Sequence, residues 1–253
     1  MSKREEPLIL SIETATRAGS IALSLGPRLI SARTGDPARS HSTDLLELIH
    51  EALEEAALRI EDVALFAVTL GPGSFTGLRI GVATAKGLAS TLERRVVGVP
   101  TLHAVALSAG ACERVVTLLP AGRGELFAQS FRVEKPLEVI ALDEAAHIAP
   151  STLFEKLRSL RNICWAGEGA RGARERILEL AAEEGIPFIE EGIGKKRDFN
   201  EGWWLAAPAV FLADYVGQLA FRSFSRGETI GPDELQAIYV RPSDAELKGI
   251  CRT

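Results

Sequence analysis

Three short, apolar-rich runs open the chain: LILSI at 8–12, SIALSL at 20–25 and RLISAR at 28–33, divided by turn residues that include Gly19, Gly26 and Pro27. Runs of this length between turn signals predict strands, and the short connections predict a meander. After GDPARSHSTD the period changes: Leu45, Leu46, Leu48, Ile49, Leu53, Ala56 and Ala57 recur as on one helix face, with Ser42, Thr43 and Asp44 available as caps. A helix over about 44–58 is expected. ALFAVTL at 64–70 is nearly unbroken in its apolarity, as expected of a strand covered on both faces. A Gly-rich loop, a helix over 76–91, a strand at VVGV and a helix at TLHAVALSA complete a βββαβαβα order. That order predicts a mixed sheet with a meander on one side and helical crossovers on the other.

A similar, weaker order begins at Val115, with strands near 115–119, 125–133, 137–142 and 162–166 and helices over 151–158 and 170–184. The repetition predicts a duplicated α/β fold, divided into a first subdomain over 1–110 and a second over 111–253. EEGIGKKRDFNEGWW reads as turn-rich and irregular, 206–225 as a long apolar helix that packs back on the first half, and LQAIYVRP as a late strand.

Of 253 residues, 46% are hydrophobic, enough for a sizeable core. The 29 basic and 34 acidic residues leave a net charge of -5, which disfavours extensive contact with nucleic-acid phosphates and makes any role on RNA indirect. The three cysteines, Cys112, Cys164 and Cys251, are too far apart for a CxxC site or a disulfide framework, so a reducing, cytoplasmic setting is expected. The start lacks the apolar core of a signal peptide, and no run reaches the roughly 18 apolar residues of a membrane span. His41, His50, His103 and His147 form neither an HExxH nor an HxxxH pair, so no metal site is expected. Lys195, Lys196 and Arg197 make one short basic cluster, expected on solvated surface.

Two segments are candidates for chemistry. In GPGSFTGLRIG, 71–81, an apolar strand runs into a Gly-rich loop that opens a helix. Neither a Walker A loop nor a dinucleotide fingerprint fits. The free amides of a helix start, with Gly71, Gly73 and the hydroxyls of Ser74 and Thr76, can nevertheless hold an anion, or the glycines can serve close packing. Further along, Gly77, Gly81, Ala85 and Ala89 recur every four residues and leave one helix face nearly bare. That face packs either on the domain's own sheet or on another subunit. In IETATRAGSIAL, 12–23, Glu13 ends the first strand and Thr14 and Thr16 precede a hairpin; this is where actin-like folds place phosphates and hydrated magnesium, and equally where a ligand-free polar hairpin belongs.

LILSIETATRAGSIAL, HSTDLLELIHEAL, AVTLGPGSFTGLRIGVATAKGLA and GVPTLHAVA, in this order, resemble the bacterial tRNA threonylcarbamoyladenosine biosynthesis protein TsaB family, with a second echo in IYVRPSDAE at 238–246. The resemblance implies an actin-like, sugar-kinase-type (ribonuclease H-like) fold of two related subdomains. It also implies a non-catalytic role beside a paralogue, TsaD, which transfers the threonylcarbamoyl group to adenosine 37 of tRNAs reading ANN codons, with the ATPase TsaE as a third component. The helices over 44–58 and 76–91 form the family's dimer surface, which by helical phase assigns Leu45, Ile49, Leu53, Leu78, Gly81, Val82 and Ala85 to the contact and leaves a homodimer as the outcome when the chain is alone. ATP or ADP at the subunit interface is the cofactor expectation, and Glu13, Thr14, Thr16, Gly71, Gly73, Ser74 and Thr76 are its candidate contacts. The chain departs from the family at Glu13, usually Asp, at Ala15, which true phosphate loops keep as Gly, and at Pro120 and Gly122, where many relatives carry an Asp-Ala-Arg start. An independent small kinase or ATPase of the same fold is the alternative.

Overall fold

The first meander is formed by β1 (Leu8–Glu13), β2 (Ser20–Leu25) and β3 (Arg28–Thr34), antiparallel neighbours with Ser11 opposite Ala22 and Ala22 opposite Ala32. The chain then leaves through α1 (His41–Glu55) and returns as β4 (Leu65–Gly71), parallel to β1. A second crossover, α2 (Phe75–Thr91), leads to β5 (Arg95–Pro100), and α3 (Thr101–Ser108) follows. The sheet order is β3-β2-β1-β4-β5, with β1 at its centre. This computed structural model describes residues 6–38, 41–134, 137–190, 202–238 and 240, without the side chains of 41–43.

Period-2 alternation in β1 decides what covers each face of this sheet. Leu8, Leu10 and Ile12 share a core with Leu45, Ile49 and Leu53 of α1 and Val82, Ala85 and Ala89 of α2. On the opposite face lies α7 (Leu212–Ser225), where Ala213 donates its N–H to Ser20 Oγ (3.0 Å) and Gly217 lies against Ser11. Small residues on both sides bring that helix close to the strands. Among the described residues, those up to Ala104 together with Val210–Ile238 make one unit and Val105–Ala209 the other.

The second unit repeats the plan. Its sheet contains β6 (Cys112–Gly122), β7 (Glu125–Glu134), β8 (Glu138–Ala141), β9 (Ala146–Ile148), β10 (Asn162–Ala166), β11 (Phe188–Glu190) and β12 (Gly202–Leu205), in the order β11-β12-β10-β6-β7-β8 with β9 also on β7. As in the first sheet, the first meander strand pairs parallel with the strand that follows a helix, here α4 (Pro150–Leu157). Trp165 and Trp203 meet edge to face, with centroids 5.2 Å apart, at the centre of its core.

Four expectations need correction. The helix expected over 170–184 is two, α5 (Glu168–Gly172) and α6 (Arg174–Glu183), broken where Ala173 leaves the helical region beside Gly172. GWWL, expected within an irregular stretch, is the buried strand β12: a four-residue run covered on both faces has no alternation to reveal it. The last helix starts at Leu212 rather than 206, because Pro208 disfavours helical backbone before it. Of the late strand expected in LQAIYVRP, Leu235–Ile238 lie outside any strand, although Ile238 N–H donates to Leu70 O (2.7 Å). Val240 also lies outside any strand, and Tyr239, Arg241, Pro242 and the Lys195–Arg197 cluster lie outside the described residues.

Candidate functional site

Parallel pairing of β1 with β4 brings their C-terminal ends side by side, so the loops after Glu13 and after Gly71 leave the same sheet edge. In open α/β sheets this edge is where ligands bind. Here the two loops bind each other. Ser74 N–H donates to Ala15 O (2.8 Å), and the first carbon of a side chain at Gly73 would stand 2.5 Å from that same oxygen. Only a residue without Cβ permits this approach.

Glu13 is 1% exposed and is spent on its own loop. Its Oε1 accepts from the N–H groups of Ala15 (2.6 Å) and Thr16 (2.8 Å), and Oε2 accepts from Thr16 Oγ1 (2.7 Å). Thr14 is equally buried and donates its N–H to Thr69 Oγ1 at 3.4 Å. Ser74 caps α2, its Oγ accepting from Gly77 N–H (3.2 Å). Gly71 lies against the carbonyl of Ile238, whereas Ser74 and Thr76 face solvent.

A phosphate held here would need amides from these two loops. Those of Ala15 and Thr16 are directed at Glu13, that of Ser74 at Ala15, and that of Gly77 at Ser74. The structure brings Glu13, Thr14, Thr16, Gly71, Gly73, Ser74 and Thr76 into one corner, where hydrogen bonds clasp the two loops together and the Thr14 hydroxyl is buried without a hydrogen-bond partner. The amides of Ala15, Thr16, Ser74 and Gly77 are thus already engaged within the clasp. Among the described residues, no group of three His, Cys, Asp or Glu side chains is arranged to hold a metal ion.

Most residues assigned to a partner surface by helical phase lie in the interior of the chain's own unit, although Ile49 and Leu53 also line an open groove between α1 and α2. Leu45 (4% exposed), Ile49 (5%), Leu53 (7%), Leu78 (2%), Val82 (9%) and Ala85 (0%) are buried in the chain's own unit, and Gly81 lies against Thr14. Both helices lie on one face of the sheet, and each turns its most regular apolar stripe toward β1 and β4 rather than toward solvent. The bare Gly/Ala face of α2 thus serves close packing within the chain.

A family model described as TsaD, tRNA N6-adenosine threonylcarbamoyltransferase, matches residues 35–161, half of the chain and the whole of α1, β4, α2 and β5. The chain belongs to the TsaD/TsaB family. It is 27% identical over 243 residues to the tRNA threonylcarbamoyladenosine biosynthesis protein TsaB of Escherichia coli (strain K12), a match that spans 95% of this chain and 97% of that protein. A crystal structure from Pseudomonas aeruginosa, of an uncharacterized protein with similarity to peptidase YeaZ, superposes with a TM-score of 0.71 and 25% identity over 93% of this chain and 100% of that one. The ADPNP-bound activator of the 2-hydroxyisocaproyl-CoA dehydratase from Clostridium difficile shares the fold alone, with a TM-score of 0.50 and 10% identity over 92% of this chain and 99% of that one. The fold is the actin-like, sugar-kinase type.

On the segment this TsaD/TsaB chain shares with the transferase model, the outward faces of α1 and α2 frame a groove of about 500 Å³. Leu46, 64% exposed, stands at its rim, and Ile49, Leu53, Leu58, Ile60 and Leu88 form its apolar wall, with His50, Glu54 and Arg59 among them. Sequence reasoning placed Leu46 on the helix but not in the contact surface. Among the described residues, no helix is long and apolar enough to cross a membrane.

Proposed function

We propose that this chain is a non-catalytic scaffold in the formation of threonylcarbamoyladenosine at position 37 of tRNAs reading ANN codons, pairing through the outward α1–α2 groove with a TsaD-like subunit that performs the transfer. The observation that carries this reading is the groove itself: an apolar wall with an exposed leucine, on the very segment matched by the transferase family model. A TsaD-like partner carries a counterpart of the same two helices, so the two faces can meet about a pseudo-twofold axis. The name of the Escherichia coli relative, matched over nearly its whole length, supports the pathway. The absence of an HxxxH pair from the sequence and the clasped loops at Glu13 and Gly73 support leaving catalysis to the partner. A TsaE-like ATPase is the third component. With a net charge of -5, this chain touches tRNA only indirectly.

The test is copurification of the full chain with the TsaD-like protein of its own organism, followed by reconstituted tRNA modification with the TsaE-like protein. A stoichiometric complex is expected, and modification is expected to require this chain. Leu46→Glu is expected to weaken the complex at least about tenfold, equivalent to about 1.4 kcal/mol, while leaving the fold intact, because Leu46 is already exposed. Modification that proceeds equally well without the chain would overturn the proposal. The same face offers a second reading, self-association, which would appear as a mass that rises with concentration and falls in Leu46→Glu.

A further inference from the structure

Beyond α7, residues 229–238 return along β5, the edge strand of the first sheet, and cross to the loop that follows β4. Ile230 exchanges two hydrogen bonds with Val96, each N–H donating to the other's carbonyl at 3.0 Å, and the Arg95 guanidinium donates to Thr229 O. One turn of 3₁₀ helix, Pro232–Glu234, follows, and the Lys86 ammonium of α2 donates to the carbonyls of Asp233 (3.4 Å) and Leu235 (3.3 Å). The segment ends where Ile238 N–H donates to Leu70 O (2.7 Å) and its carbonyl lies against Gly71. We propose that 229–238 is a latch that opens and closes as one unit on an otherwise folded chain, with Lys86 as its catch.

A segment opens separately when little apolar surface holds it and when the elements beneath it are held by other bonds. Both conditions are met. Leu235, 1% exposed, is the segment's one buried side chain; Ile230 and Ala237 are partly covered, and Asp233, Glu234, Gln236 and Ile238 are exposed. Beneath them, β5 has its parallel register with β4, α2 has its packing against β1 and β4, and the Gly-rich loop has the bond from Ser74 to Ala15. None of these depends on the segment. The carbonyls at the end of a helical turn find no partner within it, and Lys86 supplies a donor to two of them. Its place between the Ile230 bridge and the Ile238 bond ties the two ends into one movement. Closed, the segment covers main-chain groups on the β5 edge and the Leu70 carbonyl beside the Gly-rich loop. Open, it exposes both, so the latch governs whether that edge is available for pairing.

Native-state hydrogen exchange on the full chain tests this, followed amide by amide by NMR under conditions where the rate reports the opening equilibrium. The amides of Val96, Ile230 and Ile238 are expected to share one opening, populated at least about tenfold more than the opening that releases the amides of β1. Lys86→Met keeps the apolar stem and removes the donors. It is expected to raise exchange at all three amides by a common factor of about tenfold, with β1 and the Ser74 amide unchanged. Exchange of the three amides only together with β1 would overturn the latch. So would a response to Lys86→Met at Ile230 without one at Ile238, since the two ends would then move independently. An equal rise at β1 would mean that Lys86 stabilises the whole unit, and no rise anywhere would mean that it holds nothing closed; either result would overturn the proposal.

Discussion

The hydroxyl of Thr14 rests against the backbone of Gly81, where the first carbon of any other side chain would stand. Thr14 directly follows β1 and Gly81 belongs to the second turn of α2, so the contact fixes how near the helix lies to the sheet. Gly81→Ala is expected to destabilise the chain by about 1–3 kcal/mol through overpacking, despite the better helix propensity of alanine. Adding Thr14→Ala removes the opposing group and is expected to restore much of the loss. A double-mutant cycle in urea reads this coupling, and additive effects would show that the two residues do not oppose one another.

Glu13 is expected to matter for stability rather than for turnover. Glu13→Ala leaves the buried N–H groups of Ala15 and Thr16 without their acceptor and is expected to cost about 3 kcal/mol. Glu13→Gln keeps an acceptor and is expected to cost less. Urea midpoints for the two variants check the order.

The clasped loops lead to a ligand prediction. The isolated chain is expected to bind ATP or ADP no more tightly than about 1 mM, equivalent to about -4 kcal/mol, because the amides of Ala15, Thr16, Ser74 and Gly77 are already engaged. Micromolar binding by calorimetry would favour the independent kinase or ATPase instead.

His103, on α3, has its pKa lowered from 6.5 by burial, which disfavours the imidazolium. Since the folded chain resists a proton that the unfolded chain accepts, the associated stability is complete above about pH 6.5 and is lost as pH falls toward the depressed value. His103→Gln is expected to show a smaller drop in Tm on acidification through this window. Identical pH dependence in both proteins would contradict it.

Asp214, on α7, behaves in the opposite sense. Burial raises its pKa from 3.8, against the opposing hydrogen bond from Gln218 (3.0 Å), so its contribution is most favourable at low pH and is lost as pH rises through the raised value. Asp214→Asn, which can keep the Gln218 bond, is expected to raise Tm at neutral pH, with the gain vanishing below about pH 3.8. The same substitution should ease the ionisation of Tyr215, whose pKa is raised by burial and then by the Asp214 charge. A phenol titration followed by absorbance checks the second effect.

The order of strands and helices was legible in the chain because each element there carries a local cause. Period-2 and period-3.6 patterns, turn glycines and Pro208 act over a few residues, and they determine β1 to β5, α1, α2 and the repeated plan of the second unit. GPGSFTGLRIG, with the segments around it in their order, likewise carried the resemblance to the family. What the glycines are for was decided only in three dimensions, because Gly73 and Gly81 must be glycine on account of Ala15 and Thr14, which are distant in sequence and adjacent only once β1 pairs with β4. The face a helix presents to solvent was decided in the same way. Leu45, Ile49 and Val82 have the apolar character of a partner surface, yet the sheet beneath them buries that stripe first, leaving Leu46 and His50 outside. A sequence period shows that a helix has an apolar face, but which surface covers it depends on contacts that exist only after the chain has folded.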